Sequence, residues 1–123
     1  MPTTDWLPAG TVTTESAGTG TTAWSNPTNA QTDNGSYASV RASAYKMTQW
    51  LRCVGFGFDT GDVPSGATIV GIEVRAQCHA DGRYDQDEAI YLRDSSGQVG
   101  DNAAVATAWS ASAETERTWG ASD

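Results

Sequence analysis

Residues able to do chemistry are few, and the scarcest is the single histidine, His79. Alternation along the surrounding segment places His79 on the polar face of a predicted strand. A serine–histidine–aspartate site would need this one imidazole beside a nucleophile, and the sequence contains no G-x-S-x-G nucleophile elbow. No glycine-rich phosphate loop precedes a helical pattern. The sequence therefore predicts a protein that is not an enzyme and has no catalytic residues.

The two cysteines, Cys53 and Cys78, are separated in sequence and form no C-x-x-C pair. With only one histidine beside them, they exclude an ordinary structural zinc site. Cys78 lies on the apolar face of its predicted strand, whereas Cys53 alternates with the face opposite Phe56. We expect two buried free thiols. A bulge at Gly55 would shift the register and bring both into one core, where they could pair.

Four carboxylates occur within residues 81–88, the sharpest concentration of charge in the chain. Carboxylate oxygens are ligands that Ca²⁺ prefers, but the spacing does not follow the EF-hand pattern. Arg83 also lies among these acids as an internal partner. A solvated connection between strands is the preferred interpretation, so neither a metal ion nor a cofactor is predicted.

Length and charge limit the classes of partner. The chain has 123 residues, which suits one domain, and 15 acidic against 7 basic residues give a net charge of −8. A surface of this sign repels phosphate backbones, so nucleic acid is not expected as a partner. The sequence shows no export signal and no apolar run of spanning length, so we expect no membrane segment and synthesis in a cytoplasm.

The elements that would position these residues are predicted to be strands. Residues 51–58 and 69–80 are rich in β-branched and aromatic side chains, and turn residues separate them. Each strand has one apolar face that needs a second layer, which predicts an all-β, antiparallel, jelly-roll-like sandwich. Further strands are predicted at residues 37–45 and 89–93, the second ending in a hairpin turn at 94–97. The predicted core consists of Val54, Phe56, Phe58, Val70, Ile72, Val74, Ile90 and Leu92.

An ordered series of motifs runs through this region: G-F-G-F at residues 55–58, V-P-S-G-A-T-I at 63–69 and G-I-E-V at 71–74. W-S-N-P-T-N-A at 24–30 precedes them, and I-Y-L-R at 90–93 follows. The series resembles a family of small β-sandwich proteins found in the structural gene clusters of tailed bacteriophages. The likeness covers about residues 24 to 120. It implies that the segment at 37–45 pairs with the strand at 51–58.

The resemblance implies a structural virion protein, and the residue inventory above predicts that it is not an enzyme. The resemblance does not distinguish capsid from tail, but compact size, acidity and the absence of a long fibrous segment favour a protein that decorates or cements a bacteriophage capsid. Its expected partners are a capsid or other virion protein and further copies of the chain, so its expected location is the virion. The alternative is a tail or fibre module that contacts glycans through aromatic residues such as Trp50, Tyr84 and Tyr91. Family members usually continue past the Trp-Gly pair that corresponds to Trp119 and Gly120. A shortened member, strands from a neighbouring subunit and missing C-terminal strands all stay open as explanations.

Residues 1–23 are predicted to form a polar N-terminal arm, and residues 24–123 the sandwich domain. Threonine-rich arms bury too little apolar surface to order alone. Two interpretations remain open: a flexible arm, or an arm that orders against a neighbouring subunit. Contacts with a partner are expected at both ends of the chain, with Trp6, Val12, Trp109 and Trp119 as the candidate residues.

Overall fold

The computed structural model describes residues 4–16, 22–41, 43, 46–82 and 85–122. Apart from one short 3₁₀ turn at Pro27–Gln31, its regular structure is strand, which confirms the predicted all-β class. The strands are β1 (Thr11–Glu15), β2 (Trp50–Val54), β3 (Gly71–Cys78), β4 (Leu92–Asp94), β5 (Gly97–Val99) and β6 (Thr115–Ser122). They pair antiparallel as β1–β2, β3–β6 and β4–β5. The chain forms two compact units, Met1–Ala67 and Thr68–Asp123, here called the N-terminal and C-terminal units.

The N-terminal unit is built on the β1–β2 ladder, which runs from Thr11 opposite Val54 to Glu15 opposite Trp50. Val12, the one apolar residue of β1, buries its side chain almost completely, at 1% exposure. Beyond the ladder, the Gly10 N–H donates to the Gly55 carbonyl at 2.9 Å. A side chain at residue 10 would lie only 2.6 Å from that carbonyl oxygen, so this close approach requires glycine.

The polar N-terminal segment therefore has an ordered part within the chain. Thr11–Glu15 pairs with β2 of the same chain and does not need a neighbouring subunit to become ordered. The Gln31 side chain adds hydrogen bonds to the carbonyls of Ala9 and Gly10, at 3.1 and 2.7 Å. Residues 1–3 and 17–21 lie outside the described residues, and the domain division at residue 23 stays a prediction.

The strand predicted at residues 37–45 differs from the structure. Among its described residues, Ser39 makes only an isolated bridge with Ser25, and β2 pairs with β1 instead of with this segment. None of the described residues of this segment pairs with β2, so the pairing that the resemblance implied is not seen in the described part of the chain. Short, polar residues such as Ser39 and Ser43 give this segment little apolar surface to bury, which weakens its preference for a sheet. Residues 42, 44 and 45 lie outside the described part.

The C-terminal unit is built on the β3–β6 ladder of eight residue pairs, from Gly71 opposite Ser122 to Cys78 opposite Thr115. The strand predicted at residues 69–80 is confirmed, since β3 occupies most of it. Gly120 has φ +80° and faces the Ile72 carbonyl so closely that a Cβ there would collide with the backbone. Glycine is thus required at this point of β6.

A tight hairpin, β4–β5, follows in the same unit, with Leu92 opposite Val99. The Asp94 carboxylate accepts hydrogen bonds from the Ser96 N–H and hydroxyl at 2.7 and 2.6 Å. These bonds lower the pKa of the Asp94 carboxyl. The turn predicted at residues 94–97 is confirmed.

The predicted core is largely wrong. Five of its eight residues are exposed: Val54, Phe58, Val70, Ile72 and Leu92. The other three, Phe56, Val74 and Ile90, are only half-buried. The buried apolar residues are instead Ala9, Val12, Cys78, Ala80 and Trp119. The prediction assumed a second layer over each apolar face, and two-stranded sheets leave such faces uncovered.

Candidate interaction surface

The most buried polar side chain of the C-terminal unit is Asp87, at 8% exposure. Its carboxylate accepts a hydrogen bond from the Trp109 Nε1–H at 2.8 Å and from the Val105 N–H at 3.1 Å. A third bond comes from the Nε1–H of Trp119 in β6. A buried carboxylate needs such donors because desolvation would otherwise disfavour its charge. Asp87 therefore ties the segment before β4 to the sheet.

The side chain of Asn102 makes a second set of hydrogen bonds that joins the same part of the chain. Its Oδ1 accepts from the Ile90 and Ala104 N–H groups at 2.9 and 3.0 Å. Its Nδ2 donates to the Glu88 carbonyl at 3.2 Å. One amide side chain thereby satisfies three backbone groups of segments that form no regular ladder. Together Asp87 and Asn102 fix residues 87–90 against residues 102–109.

These ties shape a groove on the apolar face of the β3–β6 ladder, with a volume of about 310 Å³. We call it the β3–β6 groove. Its lining includes the apolar side chains of Ile72, Val74, Ile90, Leu92, Val99, Ala103 and Trp119 and the ring of Tyr91. Asp101 is the one charged residue in the lining. Exposed apolar side chains that lie together, such as Ile72 and Leu92 in this lining, make the surface a candidate for contact with another apolar surface.

Exposure of large apolar side chains extends beyond the groove. In the C-terminal unit Ile69 is 61% exposed and Ile72 is 48% exposed. In the N-terminal unit Phe58 is 52% exposed. Single exposed apolar residues are ordinary, but Ile72 is also part of the groove lining.

The C-terminal unit also contains a buried thiol, that of Cys78 at the end of β3. Burial raises the pKa of Cys78 to about 11, an effect that the charge of Arg117 opposes and that of Asp87 reinforces. The Arg117 Nη2–H donates to the Thr107 carbonyl at 2.8 Å. Its Nη1 is buried and has no hydrogen-bond partner among the described residues. The charges of Asp87 and Arg117 thus lie close enough to Cys78 to act on its thiol.

Both cysteines are free thiols. Cys78 is buried, as predicted, but Cys53 is exposed, so the expectation of burial is wrong for Cys53. Desolvation by neighbouring atoms nevertheless raises the pKa of the Cys53 thiol.

The four residues predicted to contact a partner have different environments. Trp6 is 47% exposed, and Trp109 is half-buried. Val12 and Trp119 bury their side chains within their own units. In the single chain these two residues stabilise the fold, and contact with a partner at any of the four stays a prediction.

The carboxylates of residues 81–88 are not all exposed to solvent. Asp85 and Glu88 are exposed, as a solvated connection requires, but Asp87 is buried. Within the described residues, no group of three or more histidine, cysteine, aspartate or glutamate side chains could hold a metal ion. Arg83, the expected internal partner of these acids, lies outside the described residues. His79 is exposed at the end of β3.

The aromatic residues considered for glycan contact do not form one described platform. Trp50 is half-buried in the N-terminal unit, and Tyr91 is exposed in the C-terminal unit, where it lines the groove. Tyr84 lies outside the described residues.

Searches for similar known proteins, covering protein families, curated proteins and solved structures, gave no significant match. Of the residues that the structure describes, none belongs to a helix with the length and apolar character needed to cross a membrane.

The burial of Asp87 was not predicted from the sequence, because Asp87 lies among other acidic residues in a segment that is typical of an exposed loop. Its donors come from Trp109 and Trp119, 22 and 32 residues further along the chain. The two late tryptophans carried the only signal available, since a buried indole N–H needs an acceptor.

Proposed function

We propose that the chain is a non-enzymatic structural protein of a bacteriophage virion, where it decorates or cements the capsid through protein–protein contacts. The observation that carries this proposal is the open apolar β3–β6 groove, flanked by exposed residues such as Ile72 and Leu92. Apolar surface of this kind becomes stable when another chain covers it. The assignment to a virion draws on the motif series that begins at residue 24, and the choice of the capsid over the tail draws on the compact size and the acidity of the chain.

A jelly-roll-like sandwich, completed by a neighbouring subunit, is part of the same proposal. Apolar residues of both units, among them Val54, Phe58 and Val70, are exposed in the described part of the chain, so no second layer covers them. In an assembly, the neighbour's strands supply that layer and bury Val54, Phe58 and Val70, the residues predicted for the core. Acidity supports a position on the outer shell, because a net charge of −8 disfavours contact with the packaged genome.

The test is localisation on particles. Antibodies against the recombinant chain, carrying gold, are applied to purified tailed-phage particles from the source of this sequence, and labelled particles are imaged. Gold on the heads supports capsid decoration. Particles without gold on head or tail, although the chain is present in the lysate, contradict the virion assignment.

The alternative is a tail or fibre module that binds glycans. The exposed Tyr91 in the groove is the observation that favours it, because sugars stack on accessible aromatic rings. Gold confined to tails, together with loss of glycan-array binding in Tyr91→Ala, would support this alternative over capsid decoration.

A further inference from the structure

Within the described part of the chain, no strand covers the second edge of β3. Its eight residues pair with β6 on one side, and in the described part of the chain no backbone hydrogen bond joins Gly71–Cys78 to any other segment. Every residue of β3 except Val74 and Cys78 is exposed. A long exposed edge with unpaired N–H and C=O groups is a template for pairing with another strand.

From this edge we infer that β3 pairs antiparallel with β3 of a second copy of the chain, around a two-fold axis that passes through Val74. An antiparallel pair of identical strands is isologous, so both copies use the same residues. The inference deepens the assembly proposed above, and rests on it, by naming the first partner as the chain itself.

The order of charges along β3 selects this register. With the axis at Val74, Glu73 lies opposite the partner subunit's Arg75, and the same contact is made a second time by symmetry. Directly opposite residues in an antiparallel pair have Cβ atoms about 5 Å apart, so opposite charges there stabilise the pair. The apolar face fits the same register. Ile72 would lie opposite the partner subunit's Ala76, and Val74 would lie opposite the partner subunit's Val74.

Neighbouring registers are disfavoured by the same charges. An axis at Arg75 would place two guanidinium groups opposite each other, and an axis at Glu73 would place two carboxylates opposite each other. Like charges directly across a strand pair are destabilising. Arg75 already lies 3.8 Å from the Glu116 carboxylate of β6, a contact that leaves its side chain on the polar face where the pairing needs it.

The paired sheet would have the strand order β6–β3–β3–β6. A two-fold axis perpendicular to the sheet keeps both apolar faces on the same side, so the two β3–β6 grooves would form one continuous apolar surface. Such a surface is a larger target for a third chain than either groove alone. The polar faces, with Glu73 and Arg75, would lie together on the opposite side.

Sedimentation equilibrium of the full chain tests this inference, with circular dichroism to show that each variant is folded. The wild type should dimerise. Glu73→Arg should weaken the dimer about ten-fold or more, because it places like charges opposite each other twice. Arg75→Glu should act in the same direction. The double variant, Glu73→Arg with Arg75→Glu, should restore association.

Glu88→Arg is the matched control, since it makes the same change of charge on an exposed residue of the same unit outside β3. It should dimerise like the wild type. A folded wild type that stays monomeric up to its solubility limit would overturn the inference. So would single variants that associate normally, or a double variant as weak as the singles.

Particle labelling separates this inference from the virion assignment. A charge-dependent dimer that labels no particle would support the β3 pairing and contradict the virion function. A monomer that labels heads would overturn the pairing and leave capsid decoration supported.

Discussion

The buried carboxylate of Asp87 and the indole of Trp119 form a hydrogen bond that joins the segment before β4 to strand β6, 32 residues later. Trp119 in turn lies opposite Val74 in the ladder and lines the groove. The position of the groove wall therefore depends on one acid that has no apolar neighbour in its local sequence.

Replacing Asp87 by alanine should destabilise the C-terminal unit by about 3 kcal/mol or more, because three N–H donors would lose their acceptor in a buried site. Urea unfolding followed by tryptophan fluorescence measures this. Glu88→Ala, at the exposed neighbouring acid, is the matched control and should change the free energy of unfolding by less than about 0.5 kcal/mol. Equal effects of the two variants would show that Asp87 does not hold the unit together.

The interaction between Asp87 and Trp119 should also be non-additive. In a double-mutant cycle with Asp87→Asn and Trp119→Phe, the coupling should be about 1 kcal/mol or larger, because both changes remove the same buried bond. Trp119→Phe retains an aromatic ring and so separates loss of the donor from loss of packing. Strictly additive effects would indicate that the bond contributes nothing to stability.

Val12 and Phe58 provide a matched pair in the N-terminal unit. Val12→Ala should cost about 2 kcal/mol because the side chain is almost fully buried in β1. Phe58→Ala removes a larger side chain but should cost less than about 1 kcal/mol in the isolated chain, since Phe58 is half exposed. A larger loss of unfolding free energy in Phe58→Ala than in Val12→Ala would contradict this assignment. It would show that Phe58 belongs to the core and that Val12 contributes little to it.

Sequence predicted the features that depend on local pattern. The period-two alternation of Ile72, Val74, Ala76 and Cys78 located β3, and the D-S-S-G turn located the β4–β5 hairpin. It did not predict β6, because this strand contains a single large apolar residue, Trp119, and so shows no alternation. The burial of Asp87 depends on distant indoles, and no local pattern encodes that.

The thiols should differ in reactivity. In the native chain iodoacetamide should alkylate the exposed Cys53 well before Cys78, which is buried and has its pKa raised to about 11. In urea both should react at similar rates. Peptide mass spectrometry distinguishes the two sites. Early modification of Cys78 in the folded chain would contradict its burial.

Stability should fall at alkaline pH. The Cys78 thiol has a folded pKa of about 11 against an ordinary value of 9.0, so the unfolded state loses its proton first as the pH rises. The stabilisation is fully present below pH 9.0 and is lost as the pH approaches about 11. Urea midpoints measured across this range should decline less in Cys78→Ala. An unchanged slope in that variant would assign the decline to other groups.

The most direct test of the central claim, that another virion chain covers the β3–β6 groove, is the occupancy of particles by groove variants. Particles lacking the endogenous chain are incubated with purified variants and quantified by mass spectrometry. Leu92→Glu charges the groove lining, whereas Gln98→Glu adds the same charge to an exposed residue of the same hairpin that is not part of that lining. We expect Leu92→Glu to lower occupancy about ten-fold or more, since burying an unpaired carboxylate is costly, and Gln98→Glu to bind like the wild type. Full occupancy by a folded Leu92→Glu chain would contradict the account.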